Sequence, residues 1–426
     1  MEKKADIKMR LPKMYRLRQQ FQRPMVSNIQ TAIKHELTRL RLHETIMPGN
    51  KIGVTVGSRG IQNLPLILKT CVDFIREIGA SPFLVSAMGS HGGGLEKGQK
   101  LVLDSLGITE VNLGAPVVTC AECRTIAKTT KDLPVFILES ALELDGILVI
   151  NRVKSHTSLR GDLESGLVKM LVVGLGGPKG AQQFHGFGHA ELPRLLIEIG
   201  EVILNRLPIV GGIAIVENAY EETALIRAVS PADMIDKERE LLLYSKSLMP
   251  SLPTDQIDLL IIQEMGKNFS GTGMDTNIIG RLRIQGLPDP EKPCIKRIAV
   301  LDLSDQSHGN AHGMGMADFV TRRLVEKVDW QATYLNCLTT TFVGRAAMPM
   351  RFNTEKDLLD AAITSLCDGS SRELRIVIIP NTLFLGECIV SETVRADLLD
   401  TEGMQFEKNP EEFAFDNEKR LLLRVP

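Results

Sequence analysis

Short apolar runs alternate with amphipathic segments along most of this chain. Residues 52–56 and 82–86 are short runs of the kind found in β-strands, and each is followed by a polar, glycine-containing loop. Residues 64–78 and 96–106 then carry apolar side chains at helical spacing. Residues 146–150 form a further run typical of a buried strand. This alternation predicts βαβ units built around a mainly parallel sheet.

A second series of strands and helices follows the proline-containing stretch Pro250-Ser-Leu-Pro-Thr254. Its predicted strands are residues 259–262, 297–303, 333–338 and 375–379, and its predicted helices lie near 317–328 and 355–365. The predicted fold class is therefore α/β, with two α/β domains, mainly parallel sheets and the active site in the interdomain cleft. The predicted boundaries are 1–253, 254–395 and a C-terminal segment, 396–426, that could return to the first domain.

Composition narrows the class of protein. The 426 residues have a net charge of −2 and only 4% aromatic residues, which argues against nucleic acid as the main partner. No apolar run approaches the roughly 18 residues of a membrane span, and the first residues lack the apolar core of a secretory signal. Seven cysteines, a sparse and odd number, fit a reducing compartment. We expect a cytoplasmic enzyme or binding protein with a small-molecule partner and no membrane association; the oligomeric state stays open.

Polar residues with catalytic potential follow the predicted strands. Arg59 follows the first strand, His91 the second, and Lys154 and His156 follow the strand that ends at Ile150. Ligands of parallel α/β sheets bind beyond the carboxyl ends of the strands. A single loop histidine is usually a structural hydrogen-bonding group, but several at one sheet edge favour a functional site.

Two further segments have weaker signals. Gly174-Leu-Gly-Gly-Pro-Lys-Gly180 is a candidate for phosphate binding, although it lacks the Lys-Ser/Thr of a P-loop and also suits a turn that ends a helix. His308 and His312 have the i, i+4 spacing of metal ligands on a helix, but neighbouring glycines favour a loop. The roles of His308, His312 and Arg283 stay open.

Four features, taken in order, resemble the lactate racemase family that depends on a nickel-pincer nucleotide. The first is Ser58-Arg59-Gly60, where the family has Thr-Arg-Pro, and the second is Ala87-Met-Gly-Ser-His91, where it has Ala-Thr-Gly-x-His. The third is the His156 loop leading to Lys169, and the fourth is His185, sixteen residues after Lys169. The resemblance implies an isomerase, a racemase or epimerase of a 2-hydroxy acid.

The resemblance also implies a role for each of these residues. Lys169 resembles the lysine that tethers the nickel-pincer nucleotide, and His185 the nickel ligand, with His189 as a second candidate. His91 and His156 resemble the paired catalytic acid/base histidines. Arg59, together with Ser58, resembles the residues of the cofactor-binding pocket.

The residue types suit this chemistry. Inverting a stereocentre requires a base on each side of the carbon, and histidine has a pKa near operating pH. No side chain accepts a hydride, so a cofactor must do so. Two alternatives remain: another metal-dependent hydrolase or lyase that uses some of these histidines, and a non-catalytic relative that binds a nucleotide or anion.

Overall fold

A computed structural model describes residues 11–366 and 373–426 of the chain. The strands of these residues follow one another in chain order as β1 (Met14–Gln19), β2 (Lys51–Val56), β3 (Ser81–Ser86), β4 (Val117–Val118), β5 (Cys123–Lys128), β6 (Pro134–Leu138), β7 (Gly146–Arg152), β8 (Ile209–Glu217), β9 (Thr223–Val229), β10 (Gln256–Ile262), β11 (Cys294–Val300), β12 (Phe319–Thr321), β13 (Met350–Phe352), β14 (Ile376–Ile379), β15 (Glu387–Ser391) and β16 (Met404–Phe406).

The helices lie mostly between the strands. In chain order they are α1 (Ile29–Arg39), α2 (Leu42–Thr45), α3 (Leu64–Glu77), α4 (Glu96–Ser105), α5 (Glu110–Leu113), α6 (Glu139–Leu142), α7 (Leu167–Lys169), α8 (Gly177–His185), α9 (Leu192–Arg206), α10 (Met234–Ser247), α11 (Thr276–Ile279), α12 (Arg322–Glu326), α13 (Trp330–Thr340), α14 (Glu355–Thr364) and α15 (Glu392–Leu398). A π-helical turn, Met170–Leu175, joins α7 to α8.

The N-terminal unit, Gln22–Met249, is built on a six-stranded sheet in the order β4-β3-β2-β7-β8-β9. The first five strands of this order are parallel and β9 is antiparallel to β8. Strands β2 and β7 are buried along most of their length because apolar clusters cover both faces of the sheet. The residues that follow β3, β2 and β7 therefore lie side by side at one sheet edge.

The C-terminal unit combines the beginning of the chain, up to Phe21, with Pro250–Pro426. Its eight-stranded sheet has the order β13-β12-β11-β10-β14-β15-β1-β16. Strands β13 to β14 of this order are parallel, and β15, β1 and β16 continue the sheet in antiparallel fashion. The first strand of the described residues, β1, thus pairs with their last two strands, β15 and β16.

The predicted α/β class with mainly parallel sheets is confirmed. Residues 333–338 were predicted as a strand, and that prediction is wrong: they lie in α13, whose first turn is capped by Asp329 through the N–H of Ala332. Their β-branched and aromatic side chains favour strands only weakly, so packing and capping outweigh that preference.

The predicted domain boundaries and the position of the active site in an interdomain cleft stay predictions. Within the segment 396–426, β16 pairs with β1, inside the C-terminal unit. None of the helices in the described part of the chain combines the length and the apolar character that crossing a membrane requires.

Candidate active site

Three loops at the carboxyl edge of the N-terminal sheet hold the candidate residues. Ser58 and Arg59 follow β2, and His91 follows β3 in a short 3-10 turn. His156 lies four residues after the end of β7. Because β3, β2 and β7 are adjacent and parallel, the sequence order of these residues becomes a spatial cluster at one edge.

Ser58 and His91 form a hydrogen-bonded pair between the side-chain Oγ and the ring Nδ1. The His91 backbone N–H donates to the carbonyl oxygen of Met88 at 3.1 Å, which fixes the start of the turn. The glycine that follows, Gly92, has φ +66°, and a Cβ there would lie 2.5 Å from the backbone nitrogen of Gln99. Glycine is therefore required at this position, where the loop turns back onto α4.

The loop that carries His156 is closed at its base and braced by a buried acid. Lys154 and Ser165 form an antiparallel bridge with N–H to O distances of 2.9 and 3.2 Å. Glu164, 1% exposed, accepts the backbone N–H of His156 at 2.6 Å and pairs with Lys246 at 2.8 Å. These contacts hold the half-buried His156 in one position.

Lys169 ends α7, which continues into the π-helical turn, and His185 ends α8, which follows after a turn at Gly176 and a left-handed Gly177. The segment from α7 to α8 packs on the loops described above: a Cβ on Gly174 would lie 2.7 Å from the carbonyl oxygen of Ala87, and one on Gly57 would lie 3.0 Å from Met170. π-helical turns occur frequently at functional sites. The stretch 174–180 contains the end of the π-helical turn at Leu175, a left-handed Gly177 with φ +62° and the start of α8, so the expected turn that ends a helix is observed there.

The cluster has a strong excess of positive charge. Desolvation, and then the charges of Arg59 and Lys154, lower the pKa of Lys169 to about 7, while Glu164 opposes the shift. Burial, followed by Lys169, lowers the pKa of His185 to about 4. Desolvation and the charge of Arg152 also lower the pKa of Arg59, although that residue is exposed.

Three groups in the cluster lack polar partners of their own. Among the described residues, nothing hydrogen bonds to or ion-pairs with the Lys169 amine, the Arg59 guanidinium or the His185 imidazole. Two of the three, Lys169 and His185, are half-buried, and a polar group removed from water normally has a partner. The arrangement suits an anionic ligand.

The histidines singled out in the second half of the chain belong to the C-terminal unit. His308 adopts a left-handed backbone conformation with φ 47° after a 3-10 turn. His312 is 2% exposed, and its Nδ1 contacts the sulfur of Cys337 at 3.0 Å. Burial lowers the pKa of His312 to about 3. His308 and His312 therefore lie in a loop, as expected. Arg283, also in the C-terminal unit, lines a cavity of about 540 Å³.

Two buried acids were not identified from the sequence. Glu164 supports the His156 loop, and Glu238 on α10, 1% exposed, accepts the N–H of Val168 at 2.9 Å at the start of the segment that carries Lys169. A Cβ on Gly166 would lie 2.3 Å from the Glu238 carboxyl, so that carboxyl needs the glycine. The only sequence signal for Glu164 is its position as an acidic residue in a short segment that begins and ends with leucine, Leu163-Glu-Ser-Gly-Leu167.

Glu164→Gln should lower the free energy of unfolding by about 1–3 kcal/mol, because its amide nitrogen would place a donor against Lys246 or against the His156 N–H. Urea titration at neutral pH measures the change. Glu201→Gln, an exposed position on α9, is the control and should change stability by less than about 0.5 kcal/mol. Equal effects at both positions would refute a bracing role for Glu164.

Comparison with known proteins gives a structural match. The chain is similar to the lactate racemase apoprotein from Thermoanaerobacterium thermosaccharolyticum, with a TM-score of 0.52 and 11% sequence identity, over 86% of this chain and 94% of that one. At this identity the likeness shows the fold alone. No protein-family model and no curated protein sequence matches the chain. The chain therefore has a lactate-racemase-like α/β fold, and the resemblance drawn from its motifs is confirmed at the level of the fold.

Proposed function

We propose that this protein is a cytoplasmic isomerase that racemises or epimerises a 2-hydroxy acid with a nickel-pincer nucleotide held in the N-terminal unit. The observation that carries the proposal is the convergence of Lys169, Arg59 and His185, three basic groups without polar partners among the described residues. The lactate-racemase-like fold supports it.

Lys169, Arg59 and His185 have the chemistry that binding a nickel-pincer nucleotide would require. A Lys169 amine with a pKa near 7 is partly unprotonated at neutral pH and can then act as a nucleophile, which suits a covalent tether. Arg59 would bind an anionic part of the group, since guanidinium recognises phosphate and carboxylate well. His185, with its pKa lowered to about 4, stays neutral, as a metal ligand must be.

The described residues contain no set of three or more His, Cys, Asp or Glu side chains placed to hold a metal ion. A pincer group would bring donor atoms of its own, so one protein imidazole, that of His185, would be enough to hold the nickel. When bound, the group supplies the hydride acceptor that side chains lack. His91, with Ser58 on its Nδ1, would exchange the proton of the substrate hydroxyl.

Peptide-level mass spectrometry with nickel analysis, on protein purified from its own host, tests the proposal. We expect a cofactor-sized adduct on the peptide that contains Lys169, and close to one nickel per chain. The lysine at position 154 is the internal control and should stay unmodified. An unmodified Lys169 without nickel, in a host that makes the cofactor, would refute the proposal and favour the anion-binding or other metal-dependent alternatives.

A matched pair of variants tests the nickel ligand. His185→Ala should lose nickel and keep the Lys169 adduct, because the metal loses its protein donor while the covalent link stays. His189→Ala, four residues further along the chain, should keep both. Nickel retained in His185→Ala but lost in His189→Ala would move the ligand to His189.

A further inference from the structure

The ring of His156 has a fixed orientation and a fixed tautomer. Its Nδ1 accepts two backbone hydrogen bonds, from the N–H of Ser158 at 3.0 Å and from the N–H of Leu159 at 2.9 Å. A nitrogen that accepts an N–H cannot carry a hydrogen itself, so the neutral ring carries its hydrogen on Nε2. The Lys154–Ser165 bridge and the Glu164 contact hold the loop in the conformation that makes these bonds.

The charges around His156 disfavour a second proton on its ring. Desolvation, followed by the nearby Lys169, His185 and Lys154, lowers its pKa well below the usual value. A proton on Nδ1 would also point at two backbone N–H groups. The ring therefore remains neutral and presents an N–H donor at Nε2, with no lone pair there to take up a proton.

His91, unlike His156, has neither a fixed tautomer nor surroundings that disfavour a second proton. Its Nδ1 partner is the hydroxyl of Ser58, which can donate to an unprotonated Nδ1 or accept from a protonated one. Both tautomers are therefore compatible with the same contact. His91 is also exposed, so an added proton on its ring remains solvated.

We infer that the two histidines have unequal roles: His91 exchanges the proton of the bound ligand, and His156 is a permanent hydrogen-bond donor to a ligand oxygen. In the proton transfer, the hydroxyl oxygen gives its proton to Nε2 of His91, and the Nδ1–H of His91 then donates to Ser58 Oγ. His156 gains and loses no proton, so the two histidines are not the equivalent acid/base pair that the resemblance implies. In place of one base on each side of the carbon, His91 would exchange the hydroxyl proton for both hands of the substrate. The identity of the ligand rests on the proposed function, whereas the tautomer of His156 does not.

Amide substitutions separate a donor from an acid/base group. The Gln side chain places an N–H near the position of ring Nε2 but cannot take up a proton. The shorter Asn side chain keeps an acceptor near the position of Nδ1 and has no N–H at the position of Nε2. His156→Gln should keep turnover within about 10-fold of the wild type, and His156→Asn should lose about 100-fold or more although its loop is intact. His91→Gln should be as inactive as His91→Ala, by about 1,000-fold.

Nitrogen-15 NMR of histidine-labelled protein tests the tautomer without any need for activity. The ring signals of His156 are those missing from His156→Gln, and near neutral pH they should show a protonated Nε2 and an unprotonated Nδ1. A protonated Nδ1 at His156 would overturn the inference whatever the activity. Turnover lost equally in His156→Gln and His156→Ala would also overturn the inferred donor role of His156. The absence of nickel and of the Lys169 adduct would overturn the proposed function instead, and the tautomer of His156 would still stand.

Discussion

Lys169→Met should raise the free energy of unfolding of the unmodified chain by about 2–4 kcal/mol near pH 6, because it removes a poorly solvated cation from a cluster of like charges. The pKa of this amine falls from 10.5 to about 7 on folding, and each unit corresponds to about 1.4 kcal/mol. Methionine fills similar space without a charge. The variant should also be unable to carry the adduct, so stability and function would change in opposite directions.

The pH dependence gives this prediction a second check. With its pKa lowered to about 7, Lys169 in the folded chain binds fewer protons than in the unfolded chain between about pH 7 and 10.5, so wild-type stability should rise with pH across that window. Lys169→Met should lack that component. Urea titrations at a series of pH values measure it, with Lys237→Met, an exposed lysine on α10, as the control. A destabilised Lys169→Met would show that the amine has a favourable partner.

Glu238→Gln should stabilise the protein by up to about 3 kcal/mol above pH 7 and leave it nearly unchanged below about pH 4.5. Burial raises the pKa of Glu238 to about 7 from 4.5, and its Oε1 has no hydrogen-bond partner among the described residues. The folded chain therefore binds this proton more tightly than the unfolded chain. The stability of the wild type should fall as pH rises through that window.

Glutamine at position 238 stays neutral at every pH and can still accept the N–H of Val168 through its amide oxygen. The difference between the variant and the wild type should therefore grow between about pH 4.5 and 7. Glu240→Gln, on the same helix and paired with Lys237 at the surface, should show no such trend. Parallel stability curves for Glu238→Gln and the wild type would mean that Glu238 is charged in the folded protein.

Much of the N-terminal unit could be predicted from local pattern. Residues 52–56, 82–86 and 146–150 were predicted as strands and lie in β2, β3 and β7, because a parallel strand buried on both faces is a continuous apolar run. The antiparallel additions, β9 and β15, were not predicted. β9 is partly exposed and has a weaker signal, whereas β15 is a short run that is buried almost throughout. The strand predicted at 333–338 failed because side-chain preference is a weaker determinant there than packing.

For the candidate site, sequence reasoning identified loop residues but not what holds them. Arg59, His91 and His156 follow strands and could be placed at one edge by topology alone. Glu164 and Glu238 could not be found in this way, because burial of an acid depends on elements far apart in the chain. Glu238 reaches the start of α7 from α10, about 70 residues further on.

The pairing of β1 with β15 and β16 has a consequence for synthesis of the chain. On the ribosome the N-terminal unit, Gln22–Met249, is continuous and is translated before residues 250–426, so it can fold first. Strand β1, the earliest of the described strands to emerge, pairs in the described residues only with β15 and β16, so it waits until residues 387–406 have been translated. An edge left open for so long is a target for chaperones or for association with other chains. The C-terminal sheet can thus close only after residues 387–406 have left the ribosome.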